Sequence, residues 1–394
     1  MRLLRNQYGI YAKENIPEFI FSFFMLMFSL VKPITQPTGY NGIFLFFISL
    51  FCVVYLLRYN KVKKIAGNYR FLCEITACIV FVLLFDALFR YGEQNFQYIY
   101  DFCLYGIIPI FFVSNVRDYK SVLWFYSIFS VINGMIYLFD PFQEYSISGG
   151  YMPFGFNVMM PAIVGSTLLF FYFKKKIALL LLLFFLLFSF IFSNKGATLS
   201  GLFIVIFAYV YIPAGGRLLK RRLAIVSLIL CMGLFFFLPL LDIAWSVVSH
   251  MNIEGSYALT TVTMITEGLG DNVYSERFKV WADAITMFND SRLWGHGVGH
   301  FYQYSEQPYP HNFILQIMTE YGIAGTLLFL FIFVSSLKQV FRIHSFEKKI
   351  FVIIMFVMWF IPLSISLSYW TYMPFWIYWA TCFISNKTNT VYGK

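Results

Sequence analysis

Ile177-Ala-Leu-Leu-Leu-Leu-Leu-Phe-Phe-Leu-Leu-Phe-Ser-Phe-Ile-Phe192 runs without a charge between Lys174-Lys175-Lys176 and Ser193-Asn194-Lys195. It has neither the alternation of a half-buried strand nor the polar face of a surface helix. A helix crossing a bilayer needs about 20 mostly apolar residues, and similar runs recur along the chain. They fall at residues 17–33, 40–57, 71–89, 99–116, 121–139, 154–173, 177–193, 197–213, 223–241, 318–337, 350–367 and 374–385. The reading is an all-α polytopic membrane protein with about 12 transmembrane helices. The last run is short, so twelve spans can also be eleven and a re-entrant piece.

Composition agrees. Of 394 residues, 60% are hydrophobic and 12% are charged, and Phe alone supplies 50. A soluble domain carries about 25% charged residues, so soluble and disordered classes are excluded. The net charge of +10 reflects orientation rather than nucleic-acid binding. Alternate breaks collect the cations: Arg58 to Arg70, Arg117 and Lys120, Lys174 to Lys176, Arg217 to Arg222, and Lys338 to Lys349. Both chain ends are basic too, leaving Lys32, Arg90, Lys195, Arg277, Lys279 and Arg292 for the other side. By the positive-inside rule both termini are cytoplasmic. Residues 1–12 read as the approach to an uncleaved first span, not as a signal peptide. The six cysteines form no C-x-x-C pair and read as buried small hydrophobes.

The domain reading is nine helices over 1–241, an outward loop over 242–311, and three helices over 312–394. The loop is far longer than an ordinary connection. It holds eight acidic residues and four of the five histidines: His250, His296, His300 and His311. Phe278, Trp281, Ile285 and Phe288 recur at helical spacing, predicting an amphipathic helix over 275–288 with Ser275 as N-cap and Glu276 in its first turn. The run Gly295-His-Gly-Val-Gly299 predicts a loop with unusual backbone angles. A further helix starts near His311-Asn312.

Several chemistries are missing. There is no G-x-x-x-x-G-K-[ST], no D-x-D and no G-x-S-x-G. His296 and His300 have an i,i+4 spacing, but the glycines around them argue against a helical zinc site. His311 at a helix start is disfavoured as imidazolium and suits a base. Arg277 is a natural fork for phosphate oxygens, with a surface ion pair as the plainer reading. Lys195 and Glu320 near span ends, and Arg90 four residues after Asp86, also read plainly as interfacial or paired groups. Outer cations beside a neutral histidine suit a lipid-linked pyrophosphate.

Three segments carry a resemblance: Ser275-Glu-Arg-Phe-Lys-Val-Trp281, Gly295-His-Gly-Val-Gly-His-Phe301, and Pro310-His-Asn-Phe-Ile-Leu-Gln-Ile-Met-Thr-Glu-Tyr-Gly-Ile-Ala-Gly325. Together they resemble the O-antigen ligase/polymerase superfamily, with its Wzy-type polymerases and WaaL-type ligases. Ser193-Asn-Lys-Gly-Ala-Thr198 resembles that family's S-R-x-A element, with Lys195 where Arg is usual. Ser291 and Trp294 depart from the proline often found before the glycine run.

The resemblance implies a GT-C-like fold and an inverting, metal-independent glycosyl transfer without cofactor. The donor is an undecaprenyl-pyrophosphate-linked glycan, met at the periplasmic face of the bacterial inner membrane. Arg277 and Lys195 would hold pyrophosphate and His311 would be the base. Arg90, His300, Asn312, Trp281 and Glu320 are further substrate-binding candidates. The partners implied are lipid-linked glycans, the bilayer and a chain-length regulator. A polymerase is the first reading. A ligase acting on lipid A–core is the second, and a secondary transporter or flippase the third.

Overall fold

The computed structural model describes residues 15–35, 41–63, 69–89, 95–137, 151–212 and 270–384. Among these there is no strand. Helices occupy eleven of the twelve expected runs, and the run at 223–241 lies outside the described residues. Three helices contain windows long and apolar enough to cross a membrane: Phe44–Lys61, Phe313–Arg342 and Phe346–Ile365. Five shorter apolar helices accompany them. The chain divides into two compact units, one formed by residues 1–126 with 277–394 and the other by 127–276.

The first unit contains α1 (Ile16–Thr35), α2 (Asn41–Lys63), α3 (Arg70–Phe89) and α4 (Asn95–Asp101). A π-helical turn, Phe102–Ile107, leads into α5 (Ile108–Val113), and α6 (Tyr119–Ile136) straddles the boundary. Glu18 of α1 is buried, and its carboxylate accepts the Arg117 and Asp118 N–H groups at 2.8 and 3.1 Å, just before α6 begins.

The second unit holds α7 (Tyr151–Phe154), a π-helical turn at Gly155–Met159, α8 (Met160–Phe171), α9 (Ile177–Phe192) and α10 (Lys195–Tyr211). Phe154, Met159, Ile163, Leu182 and Phe185 fill its core. Asn194 caps α10 by accepting the Ala197 N–H at 2.7 Å, and its amide donates to the Met152 carbonyl. Ser189, Ser193 and Thr198 share hydrogen bonds beside that cap.

The first unit closes with α11 (Gly270–Asp290, which begins before the boundary), α12 (Phe313–Arg342), α13 (Phe346–Ile365) and α14 (Met373–Phe383). Trp359 of α13 is fully buried among Phe313, Phe333, Phe375, Tyr378 and Trp379. Pro362 lies inside α13 and has no N–H for the Met358 carbonyl one turn earlier. The Tyr372 hydroxyl donates to that carbonyl instead, at 2.8 Å. At 1.5 Å per residue α14 is about 16 Å long, half the hydrocarbon thickness.

Three expectations change. Helix α11 begins at Gly270, so Ser275 is an interior residue rather than its N-cap, and Glu276 is past the first turn. Nothing in the sequence between Gly270 and Tyr274 stops a helix. Second, α11 packs through Val280, Ala284 and Met287 against Phe301, while Phe278 and Ile285 of the expected stripe stay exposed. Small Ala284 and unbranched Met287 admit the neighbouring backbone more closely than a row of aromatics does. Third, Cys73, Cys78 and Cys103 are exposed on the protein's own surface, whereas Cys52 and Cys382 are buried. Those three lie on the outward faces of apolar helices.

Candidate active site

The site is built on the broken ends of two helices. Asn312 caps α12 by accepting the Ile314 and Leu315 N–H groups at 3.0 and 3.2 Å. His311 precedes it with φ +56°, a left-handed conformation that costs a non-glycine residue about 1 kcal/mol. The ring is held as firmly as the backbone is bent. Nδ1 is 2.7 Å from the Ser366 carbonyl, which can only accept, so Nδ1 carries the proton. Nε2 is then the basic nitrogen, 3.4 Å from the Gln307 side-chain oxygen. Tyr309 packs against the ring at 4.7 Å between centroids. Burial pushes the imidazole below its ordinary value, and the nearby Arg277 charge pushes the same way, against the opposing effect of the Ser366 bond.

The last carbonyls of a helix have no helical donors. At the end of α13 three consecutive carbonyls find theirs in the segments singled out from sequence. The Asn312 amide donates to Ser364 O at 3.1 Å, Arg277 Nη1 to Ile365 O at 3.0 Å, and His311 Nδ1 to Ser366 O at 2.7 Å. A cation at this end also meets the negative pole of the helix. Arg277 has five N–H donors, and one is used here. The indole N–H of Trp281, four residues along α11, has no acceptor among the described residues.

The second break is in α12 at Gly322, with φ +64° and ψ −159°. It frees two carbonyls, Thr319 and Glu320, and two N–H groups, Ile323 and Ala324, that an unbroken helix would pair together. The glycine loop takes all four. His296 N–H donates to Thr319 O at 2.8 Å and Gly297 N–H to Glu320 O at 2.9 Å. Ile323 N–H donates to Arg292 O at 2.8 Å and Ala324 N–H to Leu293 O at 3.2 Å. A Cβ on Gly322 would lie 2.5 Å from the Leu293 carbonyl carbon, and one on Gly295 2.5 Å from that of Glu320. Both glycines also have positive φ. Two backbones touch here, and glycine alone fits at both contacts.

Residues 177–330 match the O-antigen ligase family model, Wzy_C. That match, over less than half of the chain, supports the resemblance to the O-antigen ligase/polymerase superfamily. No curated protein matches the chain. The O-antigen ligase segment runs from α9 into α12 and takes in Lys195, Arg277, Trp281, His300, His311, Asn312 and Glu320. Arg90 and the carbonyls at 364–366 fall outside it.

The remaining candidates are placed as follows. Glu320 is buried, and its carboxylate accepts from Gln316 at 2.8 Å, Trp370 at 3.2 Å and the Tyr369 hydroxyl. The last two bonds tie α12 to the 3-10 turn Tyr369–Thr371, which follows the end of α13. Glu320 therefore holds the frame on which His311 hangs. Asp86 of α3 accepts the Val298 N–H at 3.0 Å, steadying the glycine loop from another side. His300 opens a short 3-10 turn with Nδ1 3.2 Å from the Val298 carbonyl, and His296 Nε2 lies 2.8 Å from the Met287 carbonyl. Lys195 is the first residue of α10 in the other unit. Arg90, and the part of the long loop before Gly270, lie outside the described residues. Ser364-Ile365-Ser366 escaped sequence reasoning because their contribution is backbone. Pro362 and the polar break after it are the signals that a helix ends there.

Proposed function

We propose that this membrane protein is a glycosyltransferase of the polymerase kind, working at the outer face of the bacterial inner membrane. It joins a growing glycan, carried on undecaprenyl pyrophosphate, to a lipid-linked repeat unit. The observation that carries this reading is the pair Arg277 and His311, hung from adjacent carbonyls with one basic nitrogen and several guanidinium donors left over. His311 Nε2 takes the proton of the acceptor hydroxyl. The acceptor oxygen attacks the anomeric carbon from the face opposite the pyrophosphate, so the new glycosidic bond has inverted configuration. The bond from that carbon to the pyrophosphate oxygen breaks, and lipid pyrophosphate leaves with the electron pair. Arg277 meets the growing negative charge. The resemblance gives Lys195 a share in holding pyrophosphate, as a point charge without the bidentate fork of arginine. Trp281, Asn312 and His300 border the acceptor, and a separate chain-length regulator sets how often the step repeats.

The description of the matched family as O-antigen ligase favours a second reading, with the same donor and residues but lipid A–core as acceptor. Gels of host lipopolysaccharide separate the two. Deleting the gene is expected to leave core bearing one repeat unit. Bare core, with long glycan stranded on its carrier, means the ligase, and an unchanged ladder ends both readings. Complementation with His311→Ala is expected to fail, because loss of a general base costs about a hundredfold or more in rate.

A further inference from the structure

Helix α11 has more apolar surface than is buried among the described residues. Val280, Ala284 and Met287 are buried. Next to them around the helix, Phe278, Trp281, Ile285 and Phe288 fill a second sector roughly 80° wide at 100° per residue. Phe278 is 61% and Ile285 51% exposed, and the stripe continues past the helix end into exposed Leu293 and Trp294. Leu293 is not a loose end. Its carbonyl and that of Arg292 are hydrogen-bonded to Ala324 and Ile323. Just there the outward wall of α12 begins, with Ile323, Leu327, Leu328 and Phe331 all exposed on a helix long and apolar enough to cross a bilayer. The stripe is thus continuous with a membrane-facing surface and meets it through backbone bonds. Exposed Arg292 lies where the stripe leaves the helix, while Lys279 shares the opposite, polar side with Thr286, and Trp294 suits an interface where one edge of a ring is apolar and the other wet.

We infer that the outer stripe of α11, with Leu293 and Trp294, rests on the acyl–headgroup boundary of the outer leaflet. The occupant is the bulk phospholipid surface. Arg292 would meet its phosphates, as the basic residues of an interfacial helix do. Arg277 and His311 are then held at the depth of lipid headgroup phosphates. The inference does not depend on the transfer chemistry.

The test uses full-length protein with p-benzoylphenylalanine in place of Ile285, Leu293 or, as control, Thr286 on the polar side of the helix. Each is reconstituted in vesicles of phosphatidylethanolamine and phosphatidylglycerol without polyprenyl lipid, then irradiated and analysed by mass spectrometry. Phospholipid adducts are expected at 285 and 293, several-fold above those at 286, and unchanged in a His311→Ala background. Coupling to residues 213–269 would mean that this chain covers the stripe, and coupling to a second copy would mean a dimer face. Adducts that need added polyprenyl lipid would mean a substrate-tail groove. Equal low yields at all three positions would mean a water-facing helix. Each of these overturns the inference.

Discussion

His311 shows how much one residue depends on its hydrogen-bond partner. The Ser366 carbonyl sets the tautomer, so Nε2 is the basic nitrogen. Burial disfavours the imidazolium, and Arg277 adds to that. The sign follows directly. The folded value is lowered, so the base form survives to lower pH than for a free imidazole. The acid limb of kcat/KM against pH is therefore expected below the ordinary value of 6.5. Arg277→Gln is expected to cut activity and also to move that limb upward, because a repelling charge is gone. A limb that stays in place would mean that a different group titrates. His311 as a helix-start base is legible from Pro310-His-Asn312, whereas its tautomer is not, because Ser366 is 55 residues away.

Among the elements, the break in α12 and the glycine loop are one unit of structure. Four backbone groups freed by Gly322 are all satisfied by Arg292, Leu293, His296 and Gly297, since buried peptide groups seldom go unpaired. Gly322→Ala puts a Cβ against the Leu293 backbone at positive φ. It is expected to cost about 2 kcal/mol or more, read as a lower melting temperature of the purified protein. Gly295→Ala, on the facing backbone, should behave alike. Unchanged melting in both would break the account of the strap. The glycines themselves were readable as a loop, but their partner was not. Helix α11 teaches the same lesson. Its periodicity was plain in Phe278, Trp281, Ile285 and Phe288, yet the packed face is Val280, Ala284 and Met287. Periodicity finds an apolar stripe without saying which apolar medium covers it.

For the whole molecule, the charge pattern of the breaks predicts the orientation. Alkaline phosphatase fused after Asp290 is expected to be active and a fusion after His344 inactive, with fluorescent-protein fusions giving the reverse. Equal behaviour at both sites would undo the outward placement of the long loop and with it the proposed side of the reaction.

Membrane class and helix positions were readable because apolar runs of bilayer length leave the backbone one option, the helix, which pairs every peptide group within itself. The motif residues were readable because phosphate and proton chemistry need a narrow set of side chains. Tertiary structure decided what those side chains hang from. Ser364, Ile365 and Ser366 act through carbonyls that every residue has, so no residue type marks them. Their role exists only because α13 ends at Ile365 and leaves those carbonyls without helical donors where Asn312, Arg277 and His311 arrive.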